Sequence, residues 1–392
     1  MIVMYIFCGL WSAMILTFIW SLRSLPDLGE ELRGFGDTDG EPGEWPLISI
    51  VIPACNEAEN IGPAMTSLLA QDYPNMEIIA VNDRSTDSTG DILERLAEKD
   101  ERLTVIHIEE LPEGWLGKVN ALSEGVKRAR GEWYLFTDAD VHFHPGALKK
   151  TCRYALHFGV DHLALFPKVL VNSFLLDLCV RTFGLFFLLA TRSALVNRKN
   201  SNTPMGIGAF NLVRAETFGK TPGFEWLRLE PGDDYGLGLM VKNAGAITRF
   251  ARAEEELSLT WYGSVGEMFR GLEKNLFGPG MGYRLWRLVL SVLFLYEMVT
   301  IPPLALIEGI TTGSLPYLAA SGIAFAATIL FIFLIPEKGA TKFLPLFLPL
   351  GIVLLALMML WAGVKCLIKG GIDWRGTHYS MKELRKGQRV RF

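Results

Sequence analysis

The amino-acid sequence predicts an α/β fold, with a Rossmann-like, mostly parallel sheet covered by helices on both faces and transmembrane helices at both ends of the chain. Short apolar runs alternate with helical stretches through the first half, at intervals of roughly 30 residues, the length of a βαβ unit. Long uncharged stretches stand near both ends. Of the 392 residues, 50% are hydrophobic, and the mean hydropathy of +0.27 is high for a soluble protein.

The charge and cysteine content argue against several classes of protein. A formal net charge of −4 gives no reason to expect a nucleic-acid partner. The five cysteines are odd in number and scattered, with no C-x-x-C pair. They suit neither a disulfide framework nor a zinc site, so a reducing compartment is indicated.

Residues 1–22 are predicted to be a retained transmembrane anchor. The run from Ile2 to Trp20 carries no charge, and about 20 apolar residues are needed to cross a bilayer. A cleaved signal peptide would have basic residues before the apolar run, which are missing here. Arg23 and Arg33 follow the run, which favours a cytoplasmic position for the next domain. Residues 23–46, rich in glycine and acidic residues, are predicted to be a linker.

Residues 47–275 are predicted to form the cytoplasmic domain. Four β-rich runs, separated by helical stretches, are apolar throughout, which is typical of parallel strands buried on both faces. They cover residues 47–54, 76–83, 102–108 and 132–136. In such sheets ligands bind beyond the carboxyl ends of the strands. The segments "PACNE", "NDRSTDS" and "TDAD" stand at those ends, so we expect the site there.

The segment "FTDAD" contains two carboxylates, Asp138 and Asp140, directly after the fourth strand. Side chains two residues apart on an extended segment point the same way, so both can face one cation. Hard oxygen ligands that leave coordination positions free for phosphate suit Mg²⁺ or Mn²⁺. Two acids in a solvated loop would be little evidence of a function. This pair lies at a strand end beside other polar strand ends, which favours a functional site.

Three further segments supply candidate site residues. Asp83 ends the second strand, where its carboxylate can accept a hydrogen bond from a nucleotide base, while the Ser/Thr-rich turn after it can cap a helix. Lys118 lies near a helix start, where a cation is unfavourable, so a partner such as a diphosphate is expected. Asp233 and Asp234 open a helix; they either favour its dipole or include a general base.

Other features near these segments carry less weight. His142 and His144 follow the two aspartates, and lining the site is the expected role for His142 rather than metal ligation. In the turn "PACNE", helix capping accounts in part for Asn56 and Glu57. The chain has no G-x-G-x-x-G after the first strand, no phosphate-loop motif and no serine nucleophile elbow, which argues against dehydrogenases, NTPases and hydrolases.

The second half of the chain returns to a membrane-like composition. Residues 173–195 are apolar but carry three charges, which favours a helix at the membrane interface over a span. Residues 284–365 hold three apolar stretches (286–307, 315–335 and 343–364), predicted as two to three helices, before a basic tail at 366–392. Three crossings would put that basic tail outside, so one stretch is expected not to cross; 286–307 is the candidate, because Glu297 and Pro302-Pro303 interrupt it.

Taken together, "IPACNE", "NDRSTDST", "GKVNAL", "FTDAD" and "GDDYGLGL" resemble the motifs of family 2 glycosyltransferases of the GT-A fold, in the same order. The resemblance covers roughly residues 46–250. It implies that Asp83 contacts the base, that Asp138 lies near the ribose and metal, and that Asp140 binds the metal. It also implies that Pro53, Ala54, Glu57 and Lys118 help to bind the donor and that Asp234 is the catalytic base.

The resemblance implies a metal-dependent, inverting transfer of one sugar from a nucleotide-sugar, with UDP expected, to a membrane lipid. Asn82 departs from the acid that many members carry, and Asp233 from the commoner glutamate. The Q-x-x-R-W motif of processive synthases is absent, since the glutamines are Gln71 and Gln388. The layout is similar to that of bacterial ceramide, hopanoid and carotenoid glycosyltransferases in the cell membrane.

Two alternatives remain open at this stage. A polyprenyl-phosphate sugar synthase would have a phosphate nucleophile and would need basic residues near the acceptor, which Arg181, Arg192, Arg198 and Lys199 could supply. A non-catalytic membrane scaffold that only binds nucleotide-sugar would not need Asp234. The sequence assigns no role to the tail segment "DWRGTHY".

Overall fold

The computed structural model describes residues 2–33, 43–335 and 339–391. At its centre is an eight-stranded sheet in the order β3-β2-β1-β4-β7-β6-β8-β5. Six strands run in one direction, and only β5 and β7 are antiparallel to their neighbours. The strands are β1 (Ile48–Ala54), β2 (Met76–Asp83), β3 (Leu103–Ile108), β4 (Trp133–Phe136), β5 (His142–Phe143), β6 (His162–Val169), β7 (Asn211–Arg214) and β8 (Thr248–Leu259).

Fifteen helices surround the sheet and extend from it in the described part of the chain. They are α1 (Ile2–Arg23), α2 (Leu28–Arg33), α3 (Ile61–Leu69), α4 (Thr89–Ala97), α5 (Gly117–Val126), α6 (Ala147–His157), α7 (Phe174–Ala190), α8 (Ala215–Gly219), α9 (Asp233–Asn243), α10 (Val265–Gly271), α11 (Glu273–Leu276), α12 (Leu285–Thr312), α13 (Leu315–Leu334), α14 (Leu348–Lys369) and α15 (Met381–Gly387). A two-stranded hairpin, β9 (Gly371–Trp374) and β10 (Thr377–Ser380), follows α14.

The alternation of apolar side chains explains why the first strands are buried on both faces. Ile50 and Ile78 pack into the core on one face, and Val51 and Ile79 pack into the core on the other. The core that contains Val51 and Ile79 also includes buried residues of the long apolar helices, so the sheet and those helices share one hydrophobic cluster. The predicted α/β fold is confirmed, and β1 to β4 begin and end within one residue of their predicted bounds.

The strand β8 and the helix α2 are among the elements that were not predicted. The strand β8 contains two alanines and three consecutive glutamates, residue types that are depleted in strands, so no β pattern is visible there. The helix α2 lies inside the predicted linker, where Leu28 is fully buried and Glu31 pairs with Arg249 at 2.8 Å. This part of the predicted linker therefore packs on the domain, whereas residues 34–42 lie outside the described residues.

Four helices of the described chain are long and apolar enough to cross a membrane: α1, α12, α13 and the segment Lys342–Lys369 that contains α14. The expected interruption at Pro302-Pro303 is wrong, because α12 continues through both prolines for 28 residues. Apolar helices tolerate such prolines where neighbouring helices pack against them, and Pro302 is buried here. The predicted interfacial segment forms α7, which is not among these four helices.

The basic tail folds back onto the sheet domain. The carboxylate of the fully buried Glu230 accepts hydrogen bonds from the backbone N–H groups of Arg389 (2.6 Å) and Val390 (2.9 Å). The Arg385 guanidinium donates to the backbone carbonyl of Tyr283, just before α12. The tail therefore lies on the same side of the apolar helices as the sheet.

Both ends of α14 also lie against the sheet domain. Just before its start, the ring of Phe347 lies 5.0 Å from the ring of Phe174, at the start of α7. Phe174 is four residues after Leu170, whose N–H donates to the carbonyl of Leu259 at the end of β8. Near its end, Lys365 pairs with Glu273 of α11 at 2.5 Å. By contrast, α13 runs alongside α1 in the same direction, as the paired rings Tyr5–Tyr317 and Phe18–Phe331 indicate.

Candidate functional site

Two cavities meet at the carboxyl ends of the central strands. The first has a volume of about 380 Å³ and a largely charged lining. It is lined by Pro53, Ala54, Cys55, Glu57, Asp83, Gly117, Lys118, Asp138, Ala139, Asp140, Trp261, Tyr262, Arg270, Gly271, Glu273, Lys274, Ile372, Asp373, Trp374, Arg375 and Tyr379. The structure thus brings all the predicted donor-binding residues to one cavity, together with residues from α10, α11 and the C-terminal hairpin.

Lys118 pairs with two of the candidate aspartates. Its ammonium lies 2.7 Å from a carboxylate oxygen of Asp138 and 3.2 Å from one of Asp233. Burial lowers the pKa of Lys118, but the two carboxylates outweigh it and the net pKa is raised. Burial raises the pKa of Asp138, but the nearby Lys118 ammonium lowers it by more, so the net pKa of Asp138 is lowered. The partners of Lys118 in the structure are therefore carboxylates, whereas a diphosphate was expected.

At Asp140 the positive charge of Lys118 does not outweigh burial and the neighbouring acids. Burial, then Asp138 and Glu57, raises its pKa to about 7 from an ordinary value near 3.8. Crowding of carboxylates without a counter-charge is what a bound divalent cation relieves, and the donors are the oxygens that Mg²⁺ and Mn²⁺ prefer. Across the described ranges no three His, Cys, Asp or Glu side chains are placed to hold an ion together. Asp138 and Asp140 therefore fit a cation that takes its other ligands from substrate and water.

Asp83 is 2% exposed and is held by its neighbour. The Arg84 guanidinium contacts both carboxylate oxygens, at 2.8 Å and 3.0 Å. The predicted place of Asp83 at the strand end is confirmed, and Arg84 fixes the orientation of its carboxylate in the cavity wall.

The turn after β1 is tied to the turn after β2, and the expected capping roles are wrong. The helix α3 begins only at Ile61, so neither Asn56 nor Glu57 caps it. Instead, the Asn56 side-chain carbonyl accepts from the Thr86 N–H at 2.8 Å. The Glu57 side chain forms an ion pair with Arg375 of the C-terminal hairpin.

Asp234 lies in the first turn of α9, as predicted, with its carboxylate fixed from two sides. One oxygen accepts from the Gly208 N–H at 3.1 Å and the other from the Tyr235 N–H at 2.7 Å. Burial, then the neighbouring Asp233, raises the pKa of Asp234 to about 6. Asp233 is 5% exposed and turned toward Lys118, so the two adjacent acids have different partners.

Two glycines allow this arrangement. A Cβ at Gly206 would lie 1.9 Å from the Asp234 carbonyl oxygen, and a Cβ at Gly238 would lie 1.8 Å from the Met205 carbonyl oxygen. The segment before β7 therefore packs directly against the backbone of α9, which brings Gly208 N–H within reach of Asp234.

The second cavity is larger, about 720 Å³, and mainly apolar. Phenylalanines and small residues of α7 form one side, and residues of α12 and α14 form another; they include Phe183, Gly184, Phe187, Phe294, Leu355 and Met359. Asp138, Asp140 and Trp261 line both cavities, whereas Asp234 lines only the apolar one. The aspartates thus stand where a charged and an apolar cavity meet.

One predicted residue lies apart from this junction. His142 is in β5, opposite Ser258 at the edge of the sheet, and it lines neither cavity. The neighbouring His144 makes a 2.9 Å hydrogen bond to Ser258. The spacing of the two histidines follows from strand pairing.

Several cavity residues were missed by sequence reasoning. Trp261 and Tyr262 follow the unpredicted strand β8, and Arg270 and Lys274 lie on short helices without a clear pattern. Tyr379 and Arg375 belong to "DWRGTHY", whose Arg-Gly pair between β-rich residues was the available signal for a hairpin turn.

Residues 49–220 match the family model described as glycosyl transferase family 2. Over 94 residues, the chain is 36% identical to the glycosyltransferase GlyG of Streptococcus pneumoniae serotype 4, covering 24% of this chain and 30% of that protein. Over 122 residues, it is 31% identical to the poly-beta-1,6-N-acetyl-D-glucosamine synthase of Staphylococcus aureus (strain COL), covering 31% of this chain and 25% of that protein. The chain spans less than half the length of these relatives.

A solved structure with the same fold is the mannosyltransferase PcManGT from Pyrobaculum calidifontis in complex with GDP-Man and Mn²⁺. The TM-score is 0.53 at 16% sequence identity, and the match covers 93% of this chain and 99% of that one. The predicted GT-A fold is thereby confirmed.

Replacing Gly238 by alanine should destabilise the protein by about 1–3 kcal/mol, because the added methyl overlaps a backbone carbonyl that cannot rotate away. Thermal unfolding in detergent, followed by circular dichroism, measures the effect. Gly219→Ala is the matched control, since nothing lies within 4 Å of its Cβ position. Equal midpoints for the two variants would contradict the close packing of α9.

Proposed function

We propose that the protein is a metal-dependent, inverting glycosyltransferase that moves one sugar from a nucleotide-sugar to a hydroxyl group of a membrane lipid. The observation that carries the proposal is the junction of the two cavities at Asp138 and Asp140. The charged cavity suits a nucleotide diphosphate, and the apolar cavity suits a lipid chain. The family match and the fold of a GDP-Man complex support the nucleotide-sugar, and UDP remains the predicted nucleotide.

The chain's own residues have complementary roles in this proposal. Asp138 and Asp140 would hold Mg²⁺ or Mn²⁺, which would stabilise the charge on the departing diphosphate. The Mn²⁺ in the PcManGT complex supports a divalent ion without deciding which. Asp83 would accept from the base, while Arg84 keeps its carboxylate in place. Lys118 would exchange a carboxylate partner for a phosphate oxygen, which conserves its ion pairing.

Asp234 is the proposed general base. It lines the apolar cavity, and its pKa is raised toward neutrality by burial and Asp233. A base of this kind removes a proton from the acceptor hydroxyl as the oxygen attacks the anomeric carbon. Because Asp234 lies on the side of the apolar cavity and the diphosphate side is the charged cavity, attack opposite the leaving group inverts the configuration.

The charge of the apolar cavity favours a hydroxyl acceptor over a polyprenyl phosphate. Its ionisable lining residues are Asp138, Asp140 and Asp234, with no Lys, Arg or His among the described residues that line it. Arg181 pairs with Asp177 at 2.7 Å, and Arg198 lies over the ring of Trp20. Among the charged residues that line the cavity, an anionic head group would meet only carboxylates, whereas a neutral hydroxyl would not be repelled.

The path of the chain supports three membrane crossings with both the domain and the tail in the cytoplasm. The end of α1 joins the sheet domain, where the Arg252 N–H donates to the Pro26 carbonyl at 2.8 Å. With α12 leaving and α13 returning, α14 starts and ends at the domain and would lie along the membrane surface. Arg23 and the basic tail are then both inside, in agreement with the positive-inside tendency. The predicted non-crossing stretch would thus be 343–364 rather than 286–307.

Membranes containing the protein should transfer radiolabel from one nucleotide-sugar of a panel into the lipid extract, and EDTA should abolish the transfer. Asp234→Asn should lower the rate by about 10²–10⁴-fold, because the proton acceptor is lost. Asp140→Asn should lose metal-dependent transfer. Asp91→Asn, on an exposed face of α4, is the control. Metal-dependent nucleotide binding without transfer from any donor would favour the scaffold alternative.

Gly184→Leu should reduce use of the lipid acceptor at least tenfold and leave nucleotide binding unchanged, since the leucine fills the apolar cavity. Gly322→Leu on α13 is the matched control, because both glycines have open space at their Cβ positions and only Gly184 lines the cavity.

The sugar–lipid bond should resist mild acid. An acid-labile product would instead identify a sugar phosphate and the polyprenyl-phosphate synthase.

Single cysteines introduced at Lys220, Thr312 and Lys382, in a chain whose five native cysteines are replaced by alanine, test the topology. A membrane-impermeant maleimide applied to intact spheroplasts should label only the cysteine at 312, between α12 and α13. After permeabilisation, all three positions should react. Labelling of position 382 but not 220 in intact cells would show that α14 crosses the membrane.

A further inference from the structure

The C-terminal hairpin forms one wall of the charged cavity, although it follows the last apolar helix. Five of its residues line the cavity, including Trp374, Arg375 and Tyr379. The turn consists of Arg375 (φ 49°) and Gly376 (φ 78°), which is the two-residue turn that matches strand twist in hairpins. Arg375 therefore lies at the tip of the hairpin, and its backbone has a left-handed conformation that a non-glycine residue rarely adopts.

The hairpin is fixed to three elements that line the charged cavity. Arg375 pairs with Glu57 after β1, and the Arg84 guanidinium after β2 donates to the Thr377 hydroxyl at 3.0 Å. The hydroxyl of the buried Tyr379 accepts from the Gly117 N–H at 3.3 Å, next to Lys118. The hairpin thus closes the cavity above the strand ends.

A second cation of this wall has no acidic partner. The ammonium of Lys274 lies 3.8 Å from the ring centroid of Trp374 in β9, and within the described residues no carboxylate lies within 4.0 Å of it. Its neighbour Glu273 is occupied elsewhere, since it accepts from Trp361 at 3.0 Å and pairs with Lys365, both on α14. Burial, then repulsion by Lys118, lowers the pKa of Lys274 to about 8. A half-buried ammonium facing a cavity is in an unfavourable state that an anion would relieve.

Both sides of the cavity carry charges, but most of the acids and most of the cations come from different sides. Asp83, Asp138 and Asp140 lie on the strand ends, beside Lys118, whereas Arg375, Lys274 and Arg270 come from the opposite wall. The acids of that wall, Glu273 and Asp373, pair with Lys365 and Lys369. A cation on the aspartates and a diphosphate between the two sides would satisfy both.

We propose that Arg375 and Lys274 bind the diphosphate of the nucleotide-sugar, with Glu57 holding Arg375 in its place until the donor arrives. The guanidinium can contact two phosphate oxygens at once, and the ammonium provides a point charge. Both are positioning residues for the donor, and both depend on α14, which anchors α11 through Glu273 and leads directly into the hairpin. This inference rests on the proposed function, because it assumes a nucleotide-sugar donor.

The test is titration calorimetry of the full chain in detergent with Mg²⁺, using UDP, GDP, uridine and guanosine as probes. For the diphosphate that wild type binds, Arg375→Gln and Lys274→Met should each weaken binding at least tenfold. Their affinity for the matching nucleoside should stay within twofold of wild type. Lys274→Arg should recover most of the loss, because it restores the charge. Lys382→Gln, exposed on α15, is the control for the charge of the tail.

A purely structural role for the hairpin would weaken diphosphate and nucleoside binding equally, and this outcome would overturn the proposal. Unchanged UDP or GDP affinity in both variants, with normal unfolding midpoints, would also overturn it while leaving the proposed function intact. If wild type bound neither nucleoside diphosphate, both proposals would fail together.

Discussion

Electrostatic repulsion among carboxylates at the sheet edge is the constraint on which the site depends. Asp83, Asp138, Asp140, Asp233 and Asp234 meet there because the parallel strands end at one edge and α9 starts beside it. Lys118 bridges Asp138 and Asp233, Arg84 holds Asp83, and backbone N–H groups hold Asp234. At Asp140, burial and the acidic neighbours outweigh the nearby positive charge and raise the pKa to about 7.

The division of the site into a charged and an apolar cavity follows from the same arrangement. The charged cavity needs a second wall of cations, which short helices and the C-terminal hairpin supply. The apolar cavity is lined mainly by apolar side chains, which come largely from α7, α12 and α14. Among the described residues, only Asp138, Asp140 and Trp261 line both cavities. A reaction between a charged and an apolar molecule would need such a junction, since neither cavity suits both molecules.

The tail connects the long apolar helices to the site. Glu230 binds its backbone, Tyr379 binds the start of α5, and Glu273 joins α11 to α14. Because these contacts reach from the apolar helices to the donor cavity, the position of α14 and the shape of the donor cavity depend on each other. The continuous hydrophobic cluster between the sheet and the apolar helices supports the same coupling through packing.

The sequence alone determined the elements whose signals are local. Unbroken apolar runs identified β1 to β4 to within one residue, and polar residues at their ends identified Asp83, Asp138 and Asp140 as cavity residues. The place of Asp234 at the start of α9 also followed from the sequence, because a helix beginning with acids after Pro-Gly has a recognisable pattern. The long apolar helices were evident from length and composition.

Only the tertiary structure decided what comes together from distant parts of the chain. Arg375 and Glu57 are 318 positions apart, and no local pattern indicates that their charges meet. The same holds for Lys274, Trp261 and the apolar cavity, whose composition depends on how α7 crosses the long helices. The strand β8 was not predicted, because its alanines and glutamates are stabilised in a strand by the neighbouring strands rather than by intrinsic preference. Local periodicity records how a segment folds, whereas long-range contacts depend on packing that the chain acquires only when the segments assemble.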